Sequence, residues 1–111
     1  MTVARHRNLE VSDSGNFAMI IRLKAIPGKE PEVEALLGSA LHVAQEEQAT
    51  SSWFALCFDS STFGIFCTFP NEDSLEGHLS GLIGTVLAAR TSELFAHPPI
   101  VERVDVLGAK A

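Results

Sequence analysis

Four histidines, His6, His42, His78 and His97, are the side chains best suited to move a proton near neutral pH. His78 has the setting that most invites chemistry. It falls three residues after Leu75 and four before Leu82, on the apolar stripe of a helix. A neutral imidazole facing a pocket there could accept or donate a proton near neutral pH. The same placement suits a core histidine bonded to a backbone carbonyl, and both readings stand. Metal binding fits less well. No two histidines share helical ligand spacing, and no constellation of carboxylates accompanies them.

Other residues could hold a ligand beside His78. Trp53 offers a flat wall for an aromatic ring, or forms part of an apolar interface. Strand alternation puts Trp53 and Phe54 on opposite faces, so only one of them can line a pocket. Phe66 and Thr68 share a face of the third strand. The Thr68 hydroxyl could orient a ligand or bond a neighbouring backbone group. Gly77, Gly81 and Gly84 are unusual in a helix, since each costs ~1 kcal/mol relative to alanine. They either allow close packing on the sheet or leave room beside His78. Gly77 lies off the stripe and fits neither purpose. The expected pocket lies between helices and sheet, with His78 catalytic and Trp53, Phe66, Thr68 and Leu82 binding substrate.

These residues must be positioned by strands and helices that the pattern makes legible. Residues 17–25 alternate, with Phe17, Met19, Ile21, Leu23 and Ala25 on one face. Pro27-Gly28 ends that strand. A helix is expected over 30–48. Pro31 suits its first turn, and Val33, Leu36, Leu37, Ala40, Leu41 and Ala44 form its stripe. Strands over 52–58 and 63–69 follow, joined by the turn chemistry of Asp59-Ser60-Ser61-Thr62. With that turn centred on Ser60 and Ser61, Cys57 would face Gly64, so a bond to Cys67 is not expected. Asn71 can cap a second helix whose stripe is Leu75, Leu79, Leu82, Ile83, Val86 and Leu87. A short helical turn over 92–96 and a last strand over 100–107 complete the chain. Residues 1–15 read as a flexible N-terminal tail, and 16–111 as a single domain.

Composition excludes several classes of function. The chain has 111 residues, 46% of them apolar and 20% charged, with a formal charge of −6. Its eight Lys plus Arg are scattered, which argues against nucleic acid and against anionic membrane surfaces. Met1 to Gly15 lacks the apolar centre of a signal peptide, and no run approaches a membrane span. Two buried thiols in a reducing cytoplasm are therefore expected. With neither a phosphate-cradling Gly-rich loop nor a metal-ligand cluster, no cofactor and no metal are expected.

The order β-α-β-β-α-β describes a ferredoxin-like α+β fold, a four-stranded antiparallel sheet with both helices on one face. The opposite face should then be polar in a monomer. It is not, because Phe54, Leu56, Phe58 and Phe66 alternate with Trp53, Ala55, Cys57, Ile65 and Cys67. A homodimer joined sheet to sheet is the simplest way to cover it.

Several segments together resemble the antibiotic biosynthesis monooxygenase (ABM) domain family, a branch of the dimeric α/β-barrel proteins. They are Arg22-Leu23-Lys24, Pro27-Gly28-Lys29-Glu30, Trp53-Phe54-Ala55 with Glu47 before it, Thr62-Phe63-Gly64-Ile65-Phe66, Phe69-Pro70-Asn71-Glu72, His78-Leu79-Ser80-Gly81 and Asp105-Val106-Leu107. The resemblance implies a sheet-to-sheet dimer with a pocket in each subunit. It also implies oxidation of phenols or quinols by molecular oxygen without metal or flavin. Gln48-Ala49 stands where members often have Pro-Gly. The related haem-degrading branch uses an Asn on the first strand and a Trp ending the third; Ile21 and Thr68 stand here, which argues against haem oxygenation. Two functions follow as expectations. One is a cofactor-independent monooxygenase acting on a small aromatic, phenolic or quinol-type substrate. The other is a non-catalytic, regulatory or stress-related dimeric barrel that binds a small apolar ligand.

Overall fold

The computed structural model describes residues 17–48, 50–79 and 81–110; the expected tail, 1–15, lies outside them. Seven elements follow one another: β1 (Phe17–Lys24), α1 (Glu30–Glu46), β2 (Ser52–Cys57), β3 (Thr62–Phe69), α2 (Glu72–Leu79), α3 (Leu82–Leu94) and β4 (Ile100–Asp105). The strands form one antiparallel sheet in the order β2-β3-β1-β4. This is the ferredoxin-like α+β arrangement. No helix of the described residues is long and apolar enough to cross a membrane.

Local chemistry sets the element ends. Gly28 adopts φ +93°, a conformation that favours glycine, and its N–H donates to Glu30 Oε1 at 2.9 Å. Pro31 occupies the first turn of α1, with Glu30 and Glu32 beside the positive end of the helix dipole. Asn71 caps α2, its Oδ1 accepting the Ser74 N–H at 2.8 Å. The single second helix expected from the stripe is in fact two. Gly81 sits in extended backbone as the N-cap of α3, and α3 continues through residues 92–94 where a separate turn was expected. Phe95 then pairs with Ala25 in an isolated bridge.

The core lies between the helices and one face of the sheet. Met19, Ile21 and Leu23 of β1 stand opposite Cys67, Ile65 and Phe63 of β3. They pack with Val33, Leu36, Leu37, Ala40 and Ala44 of α1, Leu75 of α2, and Leu87 and Leu94 of α3. The other face is also apolar. Ile20 faces Phe66, and Phe66 faces Phe54 with ring centroids 6.3 Å apart. Phe54, Ile100 and Val104 remain exposed there. The Arg22 guanidinium lies 4.8 Å from the Phe58 ring, which covers Gly64.

The β2–β3 turn differs from expectation by one residue. Phe58 N–H donates to the Thr62 carbonyl at 2.8 Å, so Asp59, Ser60 and Ser61 alone span the turn. The Ser61 backbone N–H, then the Thr62 hydroxyl and N–H, bond to the Asp59 carboxylate and hold its pKa below the usual value. The shorter turn puts Leu56, not Cys57, opposite Gly64, and Cys57 opposite Phe63. Cys67 faces Trp53, and both thiols are free. Only Cys67 is buried. Cys57 is exposed because β2 is an edge strand, which corrects the expectation of two buried thiols. Burial, aided by the charge of Glu47, pushes the Cys67 thiol up to about 12.

Two outcomes are expected. A methyl added at Gly64 would stand 2.7 Å from the Ile21 carbonyl oxygen and 2.8 Å from Phe58 Cε2. Phe58 can swing away, but the backbone oxygen cannot. Gly64→Ala should therefore lose about 1–3 kcal/mol in urea unfolding; unchanged stability would contradict the close approach. The second outcome concerns the thiols. One of the two should react with a thiol reagent in the native protein, and the second only after unfolding. The Cys67 thiol ionises near 9.0 when unfolded but near 12 when folded, so its contribution is complete below pH 9.0 and declines as pH rises above it. Cys67→Ala should flatten that alkaline decline.

Candidate functional site

The helix-facing side of β2 carries Trp53, Ala55 and Cys57, because the ladder sets them opposite Cys67, Ile65 and Phe63. Trp53 therefore faces the helices and Phe54 the open side. The indole of Trp53 is partly buried and packs against the core. Its Nε1 is buried and has no acceptor, and among the described residues it is the one buried side-chain polar atom so placed. An unmet buried donor costs about 1–3 kcal/mol. A ligand oxygen at that point would remove the cost.

A groove of about 330 Å³ runs along the same side of β2. Leu37, Gly38 and Leu41 of α1 form one wall, and Ala55, Cys57 and Phe63 of the sheet form the other. Among the described residues, Glu34 is the only charged group lining it. Gly38 has open space where a side chain would project, and Leu41 is exposed although it belongs to the apolar stripe. Both features leave the groove unfilled. The volume lies at the lower end of small-molecule sites. Past the far end of α1, Glu47 accepts the Thr50 hydroxyl at 3.0 Å, and its charge reaches Cys67.

The residues expected to share a pocket do not all meet. Phe66 and Thr68 lie on the face away from the helices, which corrects their placement beside His78. Cys67 and Phe69 point into the helix-side core, and strand alternation sends their neighbours the other way. Phe66 stacks on Phe54, and the Thr68 hydroxyl lies 2.5 Å from the Ser52 hydroxyl. Trp53 alone of the four substrate-binding candidates is seen on the helix side. His78 belongs to α2 and Leu82 to α3, but the side chains of both lie outside the described residues. Gly81, expected beside the pocket, is a helix cap, and the Cβ position of Gly77, which fitted neither purpose, meets open space. Gly38 was the glycine that opens a groove. The signal that could have found it is a glycine flanked by Leu37 and Leu41 on an otherwise strong helix former.

No family model matches the chain, and no curated protein does. Solved structures do. A protein of unknown function from Nitrosomonas europaea is 40% identical, with a TM-score of 0.86 over 90% of this chain and 97% of that one. A Mycobacterium tuberculosis protein shares 20% identity and a TM-score of 0.75 over 86% of this chain and 98% of that one. An antibiotic biosynthesis monooxygenase shares 15% identity and a TM-score of 0.71 over 81% of this chain and 97% of that one. The last two likenesses are of fold. The first extends to sequence along almost the whole of both molecules, so the chain belongs to one family with the Nitrosomonas europaea protein, and it shares the fold of the antibiotic biosynthesis monooxygenase.

Proposed function

We propose that the protein is a cofactor-independent monooxygenase acting on a small aromatic, phenolic or quinol-type substrate held on the helix side of the sheet. The buried, unpartnered Nε1 of Trp53 is the observation that carries this reading. A substrate oxygen accepting that N–H would be oriented by it and stabilised as it gains negative charge. His78, on the neighbouring helix α2, takes the phenolic proton. The electron-rich ring then reduces oxygen itself. One oxygen atom enters the ring carbon as a carbonyl and the other leaves as water, with all four electrons supplied by the substrate. The surrounding apolar core keeps bulk water away from the anion.

The apolar groove along β2 supports a second reading, a non-catalytic barrel that binds a small apolar ligand. It has the volume for a ligand, yet its one charged lining group, Glu34, cannot activate oxygen. In both readings the subunits pair through their open sheet faces. Phe54, Phe58, Ile100 and Val104 are exposed on that side, and a second copy would cover them.

Oxygen uptake with a panel of hydroquinones separates the readings. The wild type should consume oxygen without added metal or flavin, and a chelator should leave the rate unchanged. His78→Ala should lower the rate about a hundredfold or more, and Trp53→Phe about tenfold, the worth of one hydrogen bond. Uptake indifferent to both substitutions would sink the catalytic reading; ligand binding without uptake would leave the second. Light scattering should give twice the 11.9 kDa of one chain. A stable 11.9 kDa particle at micromolar concentration would refute the pairing.

A further inference from the structure

Helix α2 is only eight residues long. Among the described residues it buries a single side chain, Leu75, in the core. Its neighbour α3 begins afresh at Gly81, so the two helices do not form one rigid rod. Among the described residues, an arginine of the sheet also ties α2 down. Arg103 lies on edge strand β4, opposite Met19, and so rises from the sheet on the helix side. Its Nη1 donates to Glu72 Oε2 at 3.1 Å, and its Nη2 pairs with Glu76. The two carboxylates are one turn apart on the outer face of α2, and one guanidinium spans both. Beside this clasp lies a half-open recess of about 100 Å³, with Phe17, Leu75, Arg103 and Asp105 among its lining. The helix is thus incompletely packed at the point where the clasp acts.

We propose that Arg103 is a positioning residue: by bridging Glu72 and Glu76 it holds α2 down on the helix side of the sheet, and when the bridge is screened or removed α2 lifts. For its bearing on catalysis this rests on the reading above, since α2 carries His78. The clasp itself does not. All three side chains are partly exposed, with side-chain accessibilities of 47%, 63% and 56% for Arg103, Glu72 and Glu76. Dissolved salt therefore reaches and weakens the bridge, and the lifting of α2 should depend on ionic strength. An apolar contact such as that of Leu75 would not respond in this way.

Hydrogen exchange of the α2 backbone amides in the full chain tests this without any substrate, so failure of the proposed reaction does not affect the result. At low salt, Arg103→Gln should speed exchange of α2 amides about fivefold, the size of effect expected for a modest ion-pair network. The α1 amides should not change. Raising salt should bring the wild type toward the variant, while the variant itself stays insensitive. Arg103→Lys should recover part of the protection. Should Arg103→Gln fail to fold, Glu76→Gln is read in the same way and should show the same loss of salt response. Equal α2 exchange in wild type and variant, or a salt response that survives in both substitutions, would overturn the proposal.

Discussion

The central ladder between β1 and β3 governs the rest of the molecule. Eight residues of each strand pair in continuous register, from Phe17 with Phe69 to Lys24 with Thr62. Because side chains alternate, that one register decides which of two apolar sets meets the helices. Met19, Ile21, Leu23, Phe63, Ile65 and Cys67 go to the core. Ile20 and Phe66 go to the other side, and β2 follows β3 in the same sense. A slip of β3 by one residue against β1 would turn β3 over, and β2 with it, moving Trp53 to the open side and Phe54 to the helices.

The sequence made the element order, the Asn71 cap, the Pro31 first turn and the alternation of β1 readable, because each depends on local chemistry. It did not reveal which face of β2 and β3 is inward. Phe54, Leu56 and Phe66 are as apolar as Trp53, Ala55 and Ile65, so hydrophobicity carries no sign there. Phe66 and Thr68 were set beside His78 for that reason, and the choice between Trp53 and Phe54 stayed open until the register was known. The break at Gly81 was hidden because Leu79, Leu82 and Ile83 continue a helical stripe straight across it. The register error at Cys57 arose from a turn that closes on Thr62, which depends on how Asp59 bonds and not on composition.

The helix side combines a requirement with an opportunity. A sheet covered by helices leaves unfilled space wherever a side chain is missing, as at Gly38. The same layer buries the Trp53 indole N–H without an acceptor, an unfavourable arrangement that a ligand oxygen would relieve. Apolar walls strengthen a hydrogen bond to a developing anion and also disfavour charge anywhere else nearby. Burial raises the Cys67 thiol for that second reason, with the charge of Glu47 adding to it.

Trp53 is the only tryptophan in the chain, so a protein NMR spectrum holds a single indole N–H resonance. Titrating a hydroquinone under anaerobic conditions while following that resonance is the most direct test of where the ligand sits. A ligand oxygen accepting the N–H should move the resonance downfield in a saturable way and slow its exchange with water. A hydroquinone that binds while the indole resonance stays still would show that Trp53 does not receive it, and would remove the observation on which the function rests.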